Sequence, residues 1–530
     1  MNAHTTPPAS DGWWDPDRGR GVGVLARNLG TRYLGIAVET VLGLLILPFN
    51  VRHLGQSAYG LWMLAASVTI YFSVLDLGYG GSLVRFVAKY RARRDAAAIN
   101  EILSTVFILF GAFGALSYGV ALFIGFHLQS IFHLSSEQAR LGRDVLLIVS
   151  AQVSLGFSFS VFGAVINGFQ RYHLNNIVGA IVSAVAAAVN VAVLAAGHGV
   201  VAVVAATTAV RILALFVYRA NAYRVFPVLR IRPGLFRPGR LREVTGFSAY
   251  MLLLDWAAKV NYSVDALVIG AFVNTTAVAM WTVAQRLAEA TQRLTNQLND
   301  LLFPAVVDSD ERRRIDRLAR IFLSATRLTL ASALPIAGCL FLLARPLVEQ
   351  WVGPRFEPSV RVLQLLAVVV AVRAAGLMAT TVLKGAGRHR LLTACNVSTA
   401  AVNLVLSLLL VRPLGLVGVA LGTLIPVAAA AVFVLFPSAC RRAGIPIARA
   451  MASALWPAIW PALFMAGWIL VSRAWVAVTL LGVLVDAAAA GLLYLALFVG
   501  VAMPADERRL LVQEAKKRLP VGRPRWLEAA

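Results

Sequence analysis

The chain has 530 residues, of which 59% are hydrophobic and 14% are charged. Soluble domains contain about one quarter charged residues, so this composition excludes a soluble multidomain protein. The 49 Lys and Arg outnumber the 25 Asp and Glu and give a formal charge of +24, which in a soluble protein would suggest binding to nucleic acid. In a membrane protein the same excess of Lys and Arg marks the cytoplasmic loops, and we therefore expect no nucleic-acid partner.

The apolar residues fall into blocks long enough to cross the roughly 30 Å hydrocarbon core of a bilayer as α-helices. A polar segment over residues 1–30 precedes the first block, and a basic tail over residues 504–530 follows the last. We predict an all-α polytopic membrane protein with fourteen spans. They cover approximately residues 33–49, 58–80, 102–126, 144–167, 176–196, 199–219, 245–272, 276–303, 321–343, 358–383, 392–411, 415–437, 454–471 and 475–500. The eighth span is unusually polar and is included because an internal repeat requires it.

The distribution of Lys and Arg between the loops predicts the orientation, because these side chains resist translocation and stay cytoplasmic. With the N-terminus inside, the two tails and the even-numbered loops contain 35 of these residues and the odd-numbered loops contain 8. Both termini are therefore expected in the cytoplasm. The basic run over residues 219–242 is then interpreted as a signal that keeps this loop in the cytoplasm. The alternative is that it binds anionic lipids.

Short segments recur along the chain at a nearly constant offset. Residues 53–62 align with 272–281, and loop residues 91–95 align with 310–314, both at an offset of 219. Residues 168–171 match 385–388 at an offset of 217. Each repeat unit spans six helices, and an even number gives both copies the same orientation. We predict an N-lobe over 31–243, a parallel C-lobe over 244–450 and an extra helix pair over 451–503.

Three stretches resemble the N-terminal signature of the polysaccharide-export flippases, a branch of the multidrug/oligosaccharidyl-lipid/polysaccharide exporter superfamily. They are residues 54–62 (LGQSAYGLW), 75–78 (LDLG) and 84–93 (VRFVAKYRAR), and residues 100–105 (NEILST) fit the same pattern. The resemblance implies two six-helix lobes around a central cavity. It also implies alternating access that moves undecaprenyl-diphosphate-linked oligosaccharide across the bacterial inner membrane for surface polysaccharide synthesis.

The same resemblance implies a lipid-linked oligosaccharide and bilayer lipids as partners, with H⁺ or Na⁺ as candidate coupling ions and polysaccharide polymerase machinery as a candidate partner. We expect a transporter rather than an enzyme, because the sequence contains no P-loop, zinc-protease or serine-hydrolase motif. No cofactor and no metal are expected, since the three cysteines and seven histidines lack metal-ligand spacing. The alternatives are a multidrug cation antiporter on the same scaffold, a scramblase-like scaffold and a membrane enzyme of polysaccharide assembly.

With Arg219 and Arg361 at the span ends counted in the loops, six cationic side chains remain within the predicted spans: Arg211, Lys259, Arg286, Arg293, Arg327 and Arg373. A charge at mid-bilayer costs about 2.5–3.5 kcal/mol, so such groups usually face a partner or a water-filled cavity. Arg211, Arg327 and Arg373 lie where a long side chain can reach an interface. Their simplest interpretation is therefore a position near the membrane surface.

The eighth span has a polar stripe, because its polar residues recur at steps of three and four and so share one helix face. They are Thr282, Arg286, Glu289, Arg293, Asn296 and Asp300. An ion-pair ladder within the helix is one interpretation, and the lining of a cavity is the other. Guanidinium donors match phosphate oxygens. We therefore predict that Arg286 and Arg293 bind the substrate diphosphate, with Lys259 as a third positive charge.

Carboxylates within the spans are candidates for ion coupling, because a buried carboxylate can take up a proton or bind sodium. Asp255 and Asp265 in the seventh span and Glu39 in the first are the candidates. An Asp255–Lys259 pair within one helix is the alternative for Asp255. Asp486, in the last helix pair, is predicted to be an anchor between helices.

Overall fold

The computed structural model describes residues 22–72, 79–241, 264–475 and 479–509, and within these ranges the chain is helical and contains no β-strand. Residues 264–272 are helical and end just before α8. The predicted all-α class is confirmed. The helices are α1 (Val22–Phe72), α2 (Tyr79–Ala92), α3 (Ala96–Phe126), α4 (Leu128–Phe132), α5 (Ser136–Gly168), α6 (Tyr172–Ala195), α7 (Val200–Val225), α8 (Thr275–Glu311), α9 (Ile315–Leu342), α10 (Ala344–Trp351), α11 (Pro358–Gly385), α12 (His389–Arg442), α13 (Ile447–Ser472) and α14 (Leu480–Ala502).

Ten of the described helices are long and apolar enough to cross a membrane. Two of them, α1 and α12, have 51 and 54 residues, about twice what one crossing requires. Each contains one glycine with positive φ, Gly55 (79°) and Gly415 (58°), at which two helices join. Glycine adopts this backbone conformation without a Cβ clash. These two long helices therefore correspond to the first and second and to the eleventh and twelfth predicted spans.

α8 is the predicted eighth span. It is a helix of 37 residues, although its charged residues keep it out of the ten apolar candidates. The seventh predicted span lies mostly outside the described residues, which include only its end at 264–272. The total of fourteen spans therefore stays a prediction.

Two pairs of turns have the same local geometry at the offsets that the sequence repeat predicts. Arg94 and Arg313, 219 residues apart, both adopt left-handed φ values, of 55° and 53°. In each turn the residue after the arginine donates its N–H to a carbonyl five residues earlier, at 3.0 and 2.9 Å. Gln170 and Gly387, 217 residues apart, have φ values of 63° and 67° and equivalent turn hydrogen bonds. This agreement supports the repeat.

The chain divides into two compact units. The first unit contains the residues up to Arg286 together with Asn396–Thr423, and the second contains Leu287–Cys395 together with the residues from Leu424 onward. In the first unit α3 and α5 pack together, with Ile99, Ile102 and Val165 fully buried. The second unit has a core around Phe322, Val382 and Cys440. The division into lobes by the repeat stays a prediction.

The last helix pair is an integral part of the second unit. Met465, Ile469 and Tyr494 share one apolar cluster with Leu330 of α9. Asp486 is buried and accepts hydrogen bonds from Trp468 Nε1 (3.1 Å) and Ser472 Oγ (3.0 Å), which joins α14 to α13. The Tyr494 hydroxyl donates to the Ala458 carbonyl at 2.7 Å. These contacts confirm Asp486 as an anchor between the two helices.

Candidate functional site

The polar stripe on α8 is the main candidate site. We call it the α8 polar face and define it by Thr282, Arg286, Glu289, Arg293 and Asn296, whose side chains the structure describes. Arg286 is exposed and Arg293 is half-buried, whereas Thr282 is buried and donates to the Val278 carbonyl of its own helix at 2.8 Å. The two arginines are two turns apart, or roughly 10.5 Å along the helix axis.

A further arginine of the second unit reaches α8. Arg373 of α11 is half-buried and donates from Nη1 to Gln292 Oε1 at 3.1 Å. Gln292 immediately precedes Arg293 on α8. The structure therefore places the Arg373 guanidinium against the α8 helix, while its position near the membrane surface stays a prediction.

The sequence signature at residues 54–62 packs against the beginning of α8 within the first unit. A Cβ on Gly60 would overlap the backbone of Thr275, so only glycine allows this approach. Ser57 Oγ and Thr275 Oγ1 lie 3.3 Å apart. Tyr59 is buried, and its hydroxyl is close enough to Arg286 to interact with it electrostatically. The signature thus holds α1 beside the α8 helix and its first arginine.

Asp265 lies in a buried network of polar side chains in the first unit. Thr423 Oγ1 is 3.4 Å from both carboxylate oxygens of Asp265 and 3.3 Å from the Val419 carbonyl oxygen. Asn403 Nδ2 donates to Thr423 Oγ1 at 3.4 Å, and Ser407 Oγ donates to Asn403 Oδ1 at 3.1 Å. We call Asp265, Thr423, Asn403 and Ser407 the Asp265 network. Its carboxylate, hydroxyl and carbonyl oxygens are the ligand types that hard cations prefer.

Glu39 lines a cavity of about 440 Å³ inside the first unit, together with Arg32 and Arg211. The remaining polar lining residues are Gln152, Asn175, Asn176, Ser183 and Tyr218. Arg211 therefore faces a cavity of the first unit, and its position near the membrane surface stays a prediction. Asn175 Oδ1 is buried and has no hydrogen-bond partner among the described residues.

Arg327 is bonded to other groups of the second unit. It is buried on α9, its Nη1 donates to the Ser453 carbonyl at 2.7 Å, and its Nη2 forms an ion pair with Glu507. Ser324 donates to the same carboxylate. These bonds hold Arg327 inside the second unit. Its partner Glu507 belongs to the tail over residues 504–530, so the expectation that Arg327 reaches an interface stays a prediction.

Two predicted site residues, Asp255 and Lys259, lie outside the described residues. Their proposed roles in ion coupling and in substrate binding stay predictions. The side chain of Asp300 at the end of the polar stripe is likewise outside the described set.

Comparison with known proteins identifies the family. A family model described as "Polysaccharide biosynthesis protein" matches residues 25–309, which is more than half of the chain. The chain belongs to this family. The matched region includes Glu39, the signature at 54–62, Asp265 and both arginines of the α8 polar face. The predicted resemblance to the polysaccharide-export branch of the exporter superfamily is confirmed.

Individual relatives agree with this assignment. The probable flippase AglR of Haloferax volcanii is 22% identical over 412 residues, which cover 76% of this chain and 80% of AglR. The solved structure of the lipid II flippase MurJ in an inward closed conformation has a TM-score of 0.70 at 13% identity and covers 90% of this chain and 99% of MurJ. An inward-facing multidrug resistance MATE family transporter has a TM-score of 0.60 at 16% identity, with coverage of 77% and 94%. This polysaccharide biosynthesis family protein is therefore a multi-pass membrane protein with an exporter fold, and its relatives point to a transporter rather than an enzyme.

Several residues around these sites were not singled out by the sequence patterns. Asn403 and Ser407 are four residues apart on one apolar helix, a spacing that places two polar side chains on the same face. Thr423 is a lone hydroxyl in an apolar stretch and gives no such signal. Arg32 precedes the first predicted span, which begins at residue 33, whereas α1 begins at Val22 and includes it.

Proposed function

We propose that this chain is a flippase that moves undecaprenyl-diphosphate-linked oligosaccharide across the bacterial inner membrane by alternating access, with both termini in the cytoplasm. The translocated product would serve surface polysaccharide synthesis. The family description and the flippase names of AglR and MurJ support this reaction class.

The observation that carries the proposal is the presence of arginines along α8 and against it. Arg286 and Arg293 share one helix face, and Arg373 bonds to the residue beside Arg293. A guanidinium presents several N–H donors in a planar fork that fits phosphate oxygens. Burying charged side chains within a membrane span is costly. Binding of a substrate that carries a diphosphate would explain why these arginines are present. A drug-cation antiporter would instead favour an acidic binding surface.

The proposal is tested by reconstituting the purified protein in liposomes that contain a fluorescent undecaprenyl-diphosphate-linked oligosaccharide. Leaflet exchange is followed with a membrane-impermeant quencher. We expect faster exchange than in protein-free liposomes and little effect on the same glycan linked to a neutral lipid. Exchange no faster than in protein-free liposomes, together with proton-coupled uptake of a cationic dye, would assign the chain to the antiporters.

We further propose that a carboxylate couples transport to a cation gradient, with Asp265 as the first candidate and Glu39 and Asp255 as the others. Asp265 is buried at 4% exposure and contacts Thr423 Oγ1 of α12, which in turn accepts a hydrogen bond from Asn403. A buried carboxylate is costly to keep charged, and a bound H⁺ or Na⁺ offsets that cost. Either a proton or a sodium ion fits this role, and separate gradients of the two ions distinguish them.

The Asp265→Asn variant is expected to lose the dependence of exchange on an imposed gradient, because the amide cannot bind a proton or neutralise a cation. The measurement compares exchange rates in liposomes with a proton gradient, a sodium gradient or neither. Asp486→Asn is the matched control, since Asp486 is also 4% exposed but serves as a helix anchor. If the wild type responds to neither gradient, the coupling proposal is wrong.

A further inference from the structure

A second cavity of the first unit, of about 580 Å³, is formed by three chain segments that are remote in sequence. They are residues 131–138, which follow α3, residues 271–276 at the beginning of α8, and Arg412 in α12. We call it the loop cavity. All three segments belong to or border odd-numbered loops, which the positive-inside pattern predicts to be extracytoplasmic. Their meeting at one end of the unit agrees with that pattern.

Hydrogen bonds fix the walls of the loop cavity. Gln138 Nε2 donates to Ser57 Oγ at 2.9 Å, and Ser57 contacts Thr275. The other end of the same amide accepts from the Ser135 N–H at 3.2 Å, as part of a capping box at the start of α5. Gln138 therefore links the 131–138 segment to α1 and α8, and the cavity is held in shape by the folded unit.

The charged groups that line the loop cavity are basic. Arg412 lies with its guanidinium carbon 5.7 Å from the centre of the Phe272 ring. Among the described residues Arg412 makes no hydrogen bond or ion pair, and the ring of His133 and the Nδ2 group of Asn274 likewise have donors without a protein acceptor. The lining includes no carboxylate. The cavity thus offers several donors and a positive charge at a membrane face where arginine is rare.

We propose that the loop cavity binds an acidic sugar, one that carries a carboxylate, in the oligosaccharide that the protein exports. This inference rests on the proposed function, because it assigns a chemical class to the glycan. Arg412 would form a paired hydrogen bond with the carboxylate, held in position by its contact with Phe272. His133 and Asn274 would donate to the ring hydroxyls. A cavity of this volume accommodates one or two sugar units.

The experiment measures binding of soluble sugars to the purified full chain in lipid nanodiscs by saturation-transfer NMR. The probes are methyl glucuronide and methyl glucoside, which differ only in the carboxylate. We expect the glucuronide to bind more tightly, and Arg412→Ala to weaken glucuronide binding by about tenfold or more, to the level of the glucoside. Arg412→Lys should be intermediate, because it keeps the charge and loses the fork.

Arg355→Ala is the control, since Arg355 is an exposed arginine in another odd-numbered loop. It should leave glucuronide binding unchanged. Equal binding of both sugars, no loss in Arg412→Ala, or displacement of the glucuronide by acetate at equal concentration would overturn the acidic-sugar site. The binding measurement does not depend on transport, so the two proposals can fail separately. If the wild type binds glucuronide but does not accelerate leaflet exchange, the proposed export function is wrong. If it accelerates exchange but does not bind glucuronide, the acidic-sugar site in the loop cavity is wrong.

Discussion

Export of surface polysaccharide is expected to stop when Arg286 and Arg293 are both replaced by alanine, at unchanged protein abundance. Both guanidinium groups lie on the α8 polar face, and the substrate diphosphate would lose the donors that replace its hydration in the membrane. Each hydrogen bond to a charged group contributes about 1.5–3 kcal/mol. Losing the hydrogen bonds of both arginines is therefore sufficient to reduce export by about two orders of magnitude or more. The measurement is surface polysaccharide in a strain whose only copy of the gene carries the variant.

The single variants make the test more specific. Arg286→Lys keeps the charge but not the planar fork, so partial export is expected, whereas Arg286→Ala should lose it. Arg224→Ala, an exposed arginine in the last turn of α7, is the control for a general loss of positive charge. Normal polysaccharide in the double variant, with the protein at wild-type level, would return the α8 polar face to a purely structural role.

The second large effect is expected on stability, at the ion pair between Arg327 and Glu507. The guanidinium is 6% exposed and the carboxylate 25% exposed, so Glu507→Gln leaves a buried positive charge without its anion. Breaking a buried pair in this way reduces the free energy of unfolding by about 3–5 kcal/mol. The measurement is unfolding of the purified protein in mixed micelles with increasing SDS.

Glu349→Gln provides a matched control for this effect. Glu349 is 27% exposed, close to the value for Glu507, but its partner Arg345 is 62% exposed. An ion pair with such an exposed partner contributes about 0–1 kcal/mol. Replacing both members of the buried pair, as in Arg327→Met/Glu507→Leu, should recover most of the lost stability. Equal stability of Glu507→Gln and Glu349→Gln would show that the buried ion pair contributes no more to the free energy of unfolding than the exposed one.

The helical fold could be predicted from composition and periodicity because each span carries its own signal. The length of the apolar blocks indicates the helices, and the register of Arg94 with Arg313 indicates the repeat. The polar α8 required the repeat, since its charges hide it from hydropathy. Joining of spans at Gly55 and Gly415 was not predictable, because glycine at a span end is compatible with a loop or with a kink.

Candidate site residues could be predicted only as isolated charges, since their partners lie far away in the sequence. The charge of Asp265 marks it as a candidate, but its partner Thr423 is 158 residues away and has no distinguishing pattern. For Arg327 and Arg373 the sequence shows the position along a span and not the neighbouring helix. Their partners, Glu507 and Gln292, are visible only once the second unit is folded.

The long separation between Arg327 and Glu507 has a consequence for how the protein is made. The ribosome synthesises Glu507 180 residues after Arg327, so α9 enters the bilayer with a guanidinium whose carboxylate does not yet exist. Until Glu507 is synthesised, water and lipid phosphates near the membrane surface are the groups that can accept hydrogen bonds from the Arg327 guanidinium. The ion pair of Arg327 can therefore form only after translation has passed α14, so the packing of α9 is completed by a segment made much later.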